Sequence, residues 1–218
     1  MLQADALPIF ETLNCPMDTN LIDPQLLFPR LAADRPHVIY QRDLGRHMRI
    51  SNAQATVESD ARVRVPMLED IAVEFVQDRS KGFEFVREAD RSGDEVWDDM
   101  ALIQQSFRNL KEVLGAELQL NLLENGLLRV VSGGKYEASF LLLSNLWLSL
   151  EADHGAQMYA AIPCHNLLLV GKEGDRNAIL ALQDAVRGVF FEEDQDSLLS
   201  KAIYQRFDGE WRIIATAF

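Results

Sequence analysis

The chain has 218 residues, of which 48% are hydrophobic and 25% are charged, and its 34 acidic and 21 basic residues give a formal net charge of −13. This composition is typical of a globular protein, and the length suits one large domain or two small ones. Because negative charge repels phosphate groups, we expect no direct contact with nucleic acid or with an anionic membrane. A basic protein partner is compatible with this net charge.

The cysteines and the apolar runs predict the compartment. Cys15 and Cys164 show no metal-ligand or redox spacing, so we expect free thiols in a reducing environment. The first residues lack the basic and apolar regions of a signal peptide. The longest apolar run, 140–150, is much shorter than the ~20 residues that cross a bilayer. We therefore expect a soluble, cytoplasmic protein that does not enter membranes.

The first 36 residues contain five of the seven prolines. Proline removes a backbone donor and fixes φ, so we expect no long helix or central strand there. We interpret 1–36 as a proline-rich N-terminal arm whose short apolar pieces, such as Leu26–Phe28, lie over the core. Strands are predicted at 36–40 and 46–50, followed by a loop or short helix at 51–60.

Hydrophobic alternation predicts the next three strands, at 61–65, 71–76 and 83–86, and the last two form a hairpin. A helix is predicted to begin near Val96, since apolar residues then recur every three or four positions. We expect it to end at Gly115, because glycine is a common C-terminal cap.

A second hairpin is predicted by strict alternation at 118–122, the turn Asn125–Gly126 and a return strand at 127–131. The break at Gly133–Gly134 then precedes a helix. Apolar residues occupy nearly all of its faces between 140 and 150, so we expect this helix to be buried on most sides.

The last third of the chain predicts four strands and one helix. Continuous apolar runs at 158–162 and 167–170 indicate interior strands, and the amphipathic helix runs over 174–189. A hairpin joins 202–207 to 211–217. The acidic residues that follow the helix are interpreted as a solvated loop, which a basic partner could contact.

We detect no internal repeat and no low-complexity linker. The order of strands and helices predicts an α+β fold, with a mixed, mostly antiparallel sheet and about three main helices packed on it. Residues 37–218 are expected to form a single domain, with a weakly marked division near residue 115.

Five blocks of the sequence carry a family resemblance. They are Val65–Asp78, Ser106–Leu110, Gly134–Ser139, Ala160–Val170 and Tyr204–Trp211. Their order and spacing resemble those of the YtpQ-like bacterial proteins, a family catalogued as a domain of unknown function.

The resemblance covers roughly Leu27 to Phe218, with an apparent insertion around 37–61. It implies a bacterial, soluble α+β protein and supplies no reaction. One departure concerns the proline corner of the fourth block. Relatives carry Arg-Asp there, and this chain carries His165-Asn166.

The corner Cys164-His165 is the most reactive-looking pair of the sequence. A histidine base beside a cysteine would keep a nucleophilic thiolate populated. Adjacent side chains of an extended segment point to opposite faces, however, so a tight turn with a buried cysteine is the favoured interpretation. Ser139 lacks the G-x-S-x-G pattern of an exposed nucleophile. Gly133–Gly134 precedes a helix without the P-loop pattern and is interpreted as a turn.

Three carboxylates, Asp70, Glu74 and Asp78, are weak candidates for binding a cation or for acid–base work. They would share one face only if the strand extended over all of them, and turn-capping roles are favoured for Asp70 and Asp78. The four histidines have no zinc-ligand spacing. The sequence therefore predicts no metal and no cofactor.

Two functional hypotheses follow. The favoured one is a non-catalytic intracellular protein-interaction module of accessory, chaperone-like or immunity type, with a protein partner that is basic. The alternative is a hydrolase-like enzyme with a non-standard site near Ser139, Cys164 and His165. The apolar 140–150 helix could also include a dimer face, so a homodimer is a further possibility.

Overall fold

The structure is a computed structural model that describes residues 22–33, 61–91, 97–175, 177–193 and 197–218. Most of the predicted arm lies outside these residues, as do the strands predicted at 36–40 and 46–50 and the segment 51–60.

The described elements confirm the α+β class. The α-helices are α1 (Asp99–Glu117), α2 (Ser144–His154) and α3 (Ala178–Glu192), and short 3₁₀ helices cover Glu88–Arg91 and Ala138–Leu142. The strands are β1 (Leu27–Ala33), β2 (Arg64–Pro66), β3 (Ile71–Arg79), β4 (Gly82–Phe85), β5 (Gln119–Leu122), β6 (Leu128–Val131), β7 (Met158–Cys164), β8 (Leu167–Lys172), β9 (Ala202–Phe207) and β10 (Glu210–Thr216).

The strands form two sheets, and the pairs within them are antiparallel. In the four-stranded sheet, β3 pairs with β1 on one side and with β2 and β4 on the other. The six-stranded sheet has the order β10-β9-β7-β8-β6-β5. The prediction of mostly antiparallel pairing is therefore confirmed, with the strands divided between two sheets.

Strand β3 is the centre of the smaller sheet, and its first seven residues are buried. Strand β1 pairs with it residue by residue, from Leu27 opposite Gln77 to Ala33 opposite Ile71. Within the described residues β1 lies at the edge of this sheet. An edge strand tolerates Pro29, because the missing N–H group need not face a neighbouring strand.

One main hydrophobic core joins the two sheets. It includes Leu31 and Phe75 from the four-stranded sheet and Tyr204 from the six-stranded sheet, and all three are fully buried. A smaller core lies between α3 and the six-stranded sheet, where Leu182 and Val186 pack on that sheet's opposite face. The six-stranded sheet is thus covered on both faces.

All three α-helices differ from their predictions. Helix α3, expected over 174–189, covers Ala178–Glu192. Helix α1 continues through Gly115 to Glu117. The single buried helix expected at 140–150 is divided by Leu143, whose backbone is extended, into the 3₁₀ helix and α2. The prediction that this helix is buried on most sides is also wrong at Leu148, which is 55% exposed.

Candidate functional site

The corner between β7 and β8 holds Cys164, which is buried and a free thiol. Its Sγ donates a hydrogen bond to Oδ1 of Asn166 at 3.1 Å. Burial raises the pKa of the Cys164 thiol, and the negative charge of Glu193 raises it further. The thiol therefore contacts an amide and favours its protonated form, which is a weak nucleophile.

His165 has a different partner, 135 residues away in the chain. Nε of Arg30 on β1 donates to Nδ1 of His165 at 3.4 Å. Burial and the Arg30 charge lower the pKa of His165 from 6.5 to about 4. His165 is therefore neutral at pH 7 and accepts a hydrogen bond there, and it links the corner of one sheet to a strand of the other.

Ser139 is buried in the 3₁₀ helix Ala138–Leu142. Its neighbour Ala138 donates a backbone hydrogen bond to the carbonyl of His165 at 3.1 Å. Within the described residues, no hydrogen bond joins the Ser139 side chain to Cys164 or His165. The structure places the three residues in one region, and their side chains do not form a nucleophile–base chain.

The candidate carboxylates have separate partners. Asp70, just before β3, accepts hydrogen bonds from the hydroxyl groups of Ser200 and Tyr204. Burial and the Asp70 charge raise the pKa of Tyr204, so its hydroxyl group stays a donor. This network connects the start of β3 to the six-stranded sheet.

Glu74 and Asp78 face other groups. Glu74 is 6% exposed and pairs with Arg62 and Arg64. Asp78 accepts a hydrogen bond from the Tyr136 hydroxyl group at 2.6 Å and pairs with Lys135 at 3.0 Å. In the part of the chain that the structure describes, no three histidine, cysteine or acidic side chains lie close enough to hold a metal ion.

Arginine side chains gather around Glu74, a feature that the sequence interpretation missed. Glu74 lies opposite Arg30 of β1 and opposite Arg64 of β2. Because paired residues of neighbouring strands share one face of a sheet, both arginines lie on the face of Glu74. The alternation of Arg62 and Arg64 in the sequence indicated that these two arginines share one face of a strand. No nearby sequence pattern indicated that Arg30 joins them.

A second missed feature is an open groove with a volume of about 570 Å³, between β2, α1, the 3₁₀ helix Ala138–Leu142 and the β9–β10 turn. Its lining is mostly apolar: Val65, Pro66, Met67, Leu68, Val73, Ile103, Phe107, Leu141, Leu142, Ser144, Gly209, Glu210 and Trp211. A volume of roughly 300–1,000 Å³ is usual for a ligand-binding cleft.

Trp211 and Phe107 form two aromatic walls of the groove, and core contacts hold Trp211 in place. Nε1 of Trp211 donates to the carbonyl of Leu141 at 3.0 Å, and its ring packs edge to face on Trp147 at 4.6 Å. Phe107 lies on α1 and is partly exposed. The β9–β10 turn brings Trp211 here through Asp208 and Gly209, which both have positive φ, as a two-residue hairpin requires.

Charges of both signs lie close to this groove. Glu210 lines it, and the exposed residues Glu69 and Asp208 directly adjoin the lining residues Leu68 and Gly209. Arg64, Arg108 and Arg212 directly adjoin the lining residues Val65, Phe107 and Trp211 in the same way, and the side chain of Arg212 lies 3.9 Å from Glu210. The groove is therefore lined mostly by apolar residues, with one acidic residue, Glu210, in the lining and charges of both signs beside it.

Comparison of the chain with protein-family models, curated proteins and solved structures gives no match. The resemblance to the YtpQ-like proteins therefore stays a prediction. Among the described residues, every helix is too short or too polar to cross a membrane.

Proposed function

We propose that the protein is a non-catalytic protein-interaction module of the bacterial cytoplasm, and that its groove binds an apolar segment of a basic partner protein. The observation that carries this proposal is the groove lined mostly by apolar residues, with Glu210 among them. Its floor presents methionine, aromatic and aliphatic side chains. Tryptophan is enriched among the few residues that dominate the binding energy of protein interfaces, and methionine adapts to different partners.

Charge supports a basic partner over a second copy of the chain. With a net charge of −13, two copies repel each other, whereas a positively charged protein is attracted. Glu69, Asp208 and Glu210 would meet lysine or arginine residues that flank the apolar segment. Complementary rim charges chiefly accelerate association and make it sensitive to salt.

The contacts of the predicted catalytic residues do not favour the enzyme hypothesis. A thiol nucleophile needs a base that takes its proton. Cys164 faces Asn166, and the ring nitrogen Nδ1 of His165 faces Arg30. The raised pKa of Cys164 and the lowered pKa of His165 also oppose an ion pair between them.

The proposal is tested by affinity purification of the tagged protein from its bacterial host at low and high salt, with mass spectrometry of the captured proteins. We expect a stoichiometric basic protein that dissociates at high salt. The Phe107→Ala variant truncates one wall of the groove and should recover roughly tenfold less of it, as expected for loss of an aromatic contact. Thermal unfolding of each variant checks that it is folded.

The matched control is Phe191→Ala, because Phe191 is 80% exposed on α3 and does not line the groove. This variant should capture the partner as well as the unchanged protein does. Capture of no partner protein at low salt would contradict the proposal. Equal capture by a folded Phe107→Ala variant, or a groove occupied by a second copy of the chain, would contradict it as well.

A further inference from the structure

Three guanidinium groups lie around one carboxylate of the four-stranded sheet, that of Glu74, which pairs with two of them and acts on the third through its charge. We call Arg30, Arg62 and Arg64 the arginine cluster. Nε of Arg64 lies 3.1 Å from Glu74, and Nη1 of Arg62 lies 3.5 Å from the other oxygen of the same side chain. Within the described residues, no carboxylate pairs with Arg30. The cluster therefore carries more positive than negative charge, in a chain of net charge −13.

Phenylalanine rings hold the guanidinium groups close together. The Arg62 guanidinium carbon lies 3.7 Å from the Phe85 ring centroid, and that of Arg30 lies 5.9 Å from the same centroid. Arg30 also lies 4.9 Å from the Phe83 ring. Such cation–π contacts fix planar cations without neutralising them. The two rings form an apolar wall beside the cations.

Arg30 is oriented for contact with a ligand. Its Nε donates to His165, and its other described contacts are with the two phenylalanine rings. Its terminal nitrogen atoms have no hydrogen-bond partner among the described residues and are not fully buried. Neutral His165 can orient this guanidinium group because it accepts the Nε hydrogen and adds no positive charge.

The cluster is open to solvent. The side chains of Arg62 and Arg64 are 52% and 31% exposed, whereas that of Glu74 is 8% exposed. Ion pairs with Glu74 account for Arg62 and Arg64, whereas no carboxylate of the described residues pairs with Arg30, so the cluster keeps positive charge that Glu74 alone does not balance. Like charges repel each other, so the three neighbouring guanidinium groups favour a bound anion.

We propose that the arginine cluster binds a small, doubly charged oxyanion, namely inorganic phosphate or the terminal phosphate of a phosphomonoester. The planar guanidinium group donates parallel hydrogen bonds that match the oxygen atoms of phosphate. The site is separate from the groove, because alternate residues of a strand point to opposite faces. Val65 and Val73 line the groove, whereas Arg64 and Glu74 lie on the opposite face of the same sheet.

Isothermal titration calorimetry of the full chain with inorganic phosphate and, separately, with glycerol 3-phosphate tests the proposal at constant ionic strength. We expect saturable binding of at least one of them, and the tighter ligand identifies the source of the phosphate group. The Arg62→Gln variant should bind roughly tenfold or more weakly, since a hydrogen bond between charged groups is lost. Arg62 is half exposed, so this variant is expected to fold.

The matched control is Arg212→Gln, which removes one exposed arginine of the six-stranded sheet. It should bind as the unchanged chain does. Phosphate also stabilises proteins in general because it is excluded from their surface. This non-specific effect should be the same in Arg62→Gln and Arg212→Gln, so it cannot cause a difference between them. Absence of saturable binding of either ligand would overturn the proposal. Equal affinities of the folded Arg62→Gln and Arg212→Gln variants would also overturn it.

Discussion

His165 illustrates how a residue's partner decides its chemistry. The imidazole ring is largely buried beside Arg30, and its pKa is lowered from 6.5 to about 4. A proton on His165 would end its role as acceptor of the Arg30 hydrogen bond and place two positive charges side by side. The folded protein therefore keeps this residue neutral over a pH range in which the unfolded chain protonates it.

We predict that acid weakens the fold through His165. Between pH 6.5 and about 4 the unfolded state binds the proton and the folded state does not, so the free energy of unfolding falls as the pH falls. The slope due to this group is at most about 1.4 kcal/mol per pH unit. Urea unfolding at several pH values measures it.

The control variant is His165→Gln, which retains a polar side chain and cannot titrate. Its stability should depend less steeply on pH over the same interval, while both proteins share the contributions of other groups. Identical slopes for the two proteins would show that His165 does not have a lowered pKa in the folded state.

For a single residue, the sequence predicts the local backbone conformation and does not predict which distant side chains it contacts. Adjacency suggested a pair between Cys164 and His165, yet the side chains contact Asn166 and Arg30 instead. Adjacent residues at an extended corner point to opposite faces, as the sequence analysis predicted. The Arg30 contact depends on the approach of two sheets, and no local pattern contains that information.

Helix α1 shows which features of an element are encoded locally. Asp98 precedes it with an extended backbone, and Oδ1 of Asp98 accepts a hydrogen bond from the Ala101 N–H group at 2.7 Å. This bond satisfies one of the N–H groups that every helix leaves unpaired in its first turn. The carboxylate also interacts favourably with the positive end of the helix dipole.

We therefore predict that Asp98→Ala lowers the free energy of unfolding by about 1 kcal/mol, the usual value of an N-cap. The matched control is Glu112→Ala, an exposed acidic residue within the same helix that should change stability by less than about 0.5 kcal/mol. Urea denaturation followed by circular dichroism compares them. Equal effects of the two substitutions would mean that Asp98 does not cap the helix.

Strands and hairpins were the most predictable elements. Strict alternation located β5, the turn Asn125–Gly126 correctly predicted the pairing of β5 with β6, and the turn Asp208–Gly209 correctly predicted the hairpin of β9 and β10. The region around Leu143 was less predictable, because apolar residues occur at nearly every position there and give no period. At the break, the Phe140 carbonyl accepts hydrogen bonds from both the Leu143 N–H group and the Trp147 ring, two local contacts that the apolar pattern does not reveal.

On the scale of the molecule, the two sheets are joined by polar contacts as well as by the shared core. Asp70 binds Ser200 and Tyr204, and Asp78 binds Tyr136. Each contact links the four-stranded sheet to a residue of the later part of the chain. No composition or periodicity predicts such contacts, because they depend on how two separately encoded sheets come together.

We predict that Asp70→Ala destabilises the whole molecule by about 1–3 kcal/mol, because the buried hydroxyl groups of Tyr204 and Ser200 lose an acceptor. Thermal unfolding followed by circular dichroism and by tryptophan fluorescence should show a single transition, shifted equally in both signals. Exposed Glu69 provides the control, and Glu69→Ala should leave this transition nearly unchanged.

Two separated transitions would contradict a shared core and would support the division near residue 115 that the sequence suggested. A shift confined to one of the two signals would mean that Asp70 stabilises only its own sheet. An unchanged transition in Asp70→Ala would mean that the network contributes nothing measurable.

The position of Trp211 has an optical consequence. Its indole ring forms part of the groove wall, whereas Trp147, against which it packs, is fully buried. The wavelength of indole emission depends on the polarity around the ring. The emission wavelength of Trp211 therefore depends on whether water or another molecule fills the groove. Trp211 is thus an intrinsic fluorescence probe at the surface where we propose that a partner binds.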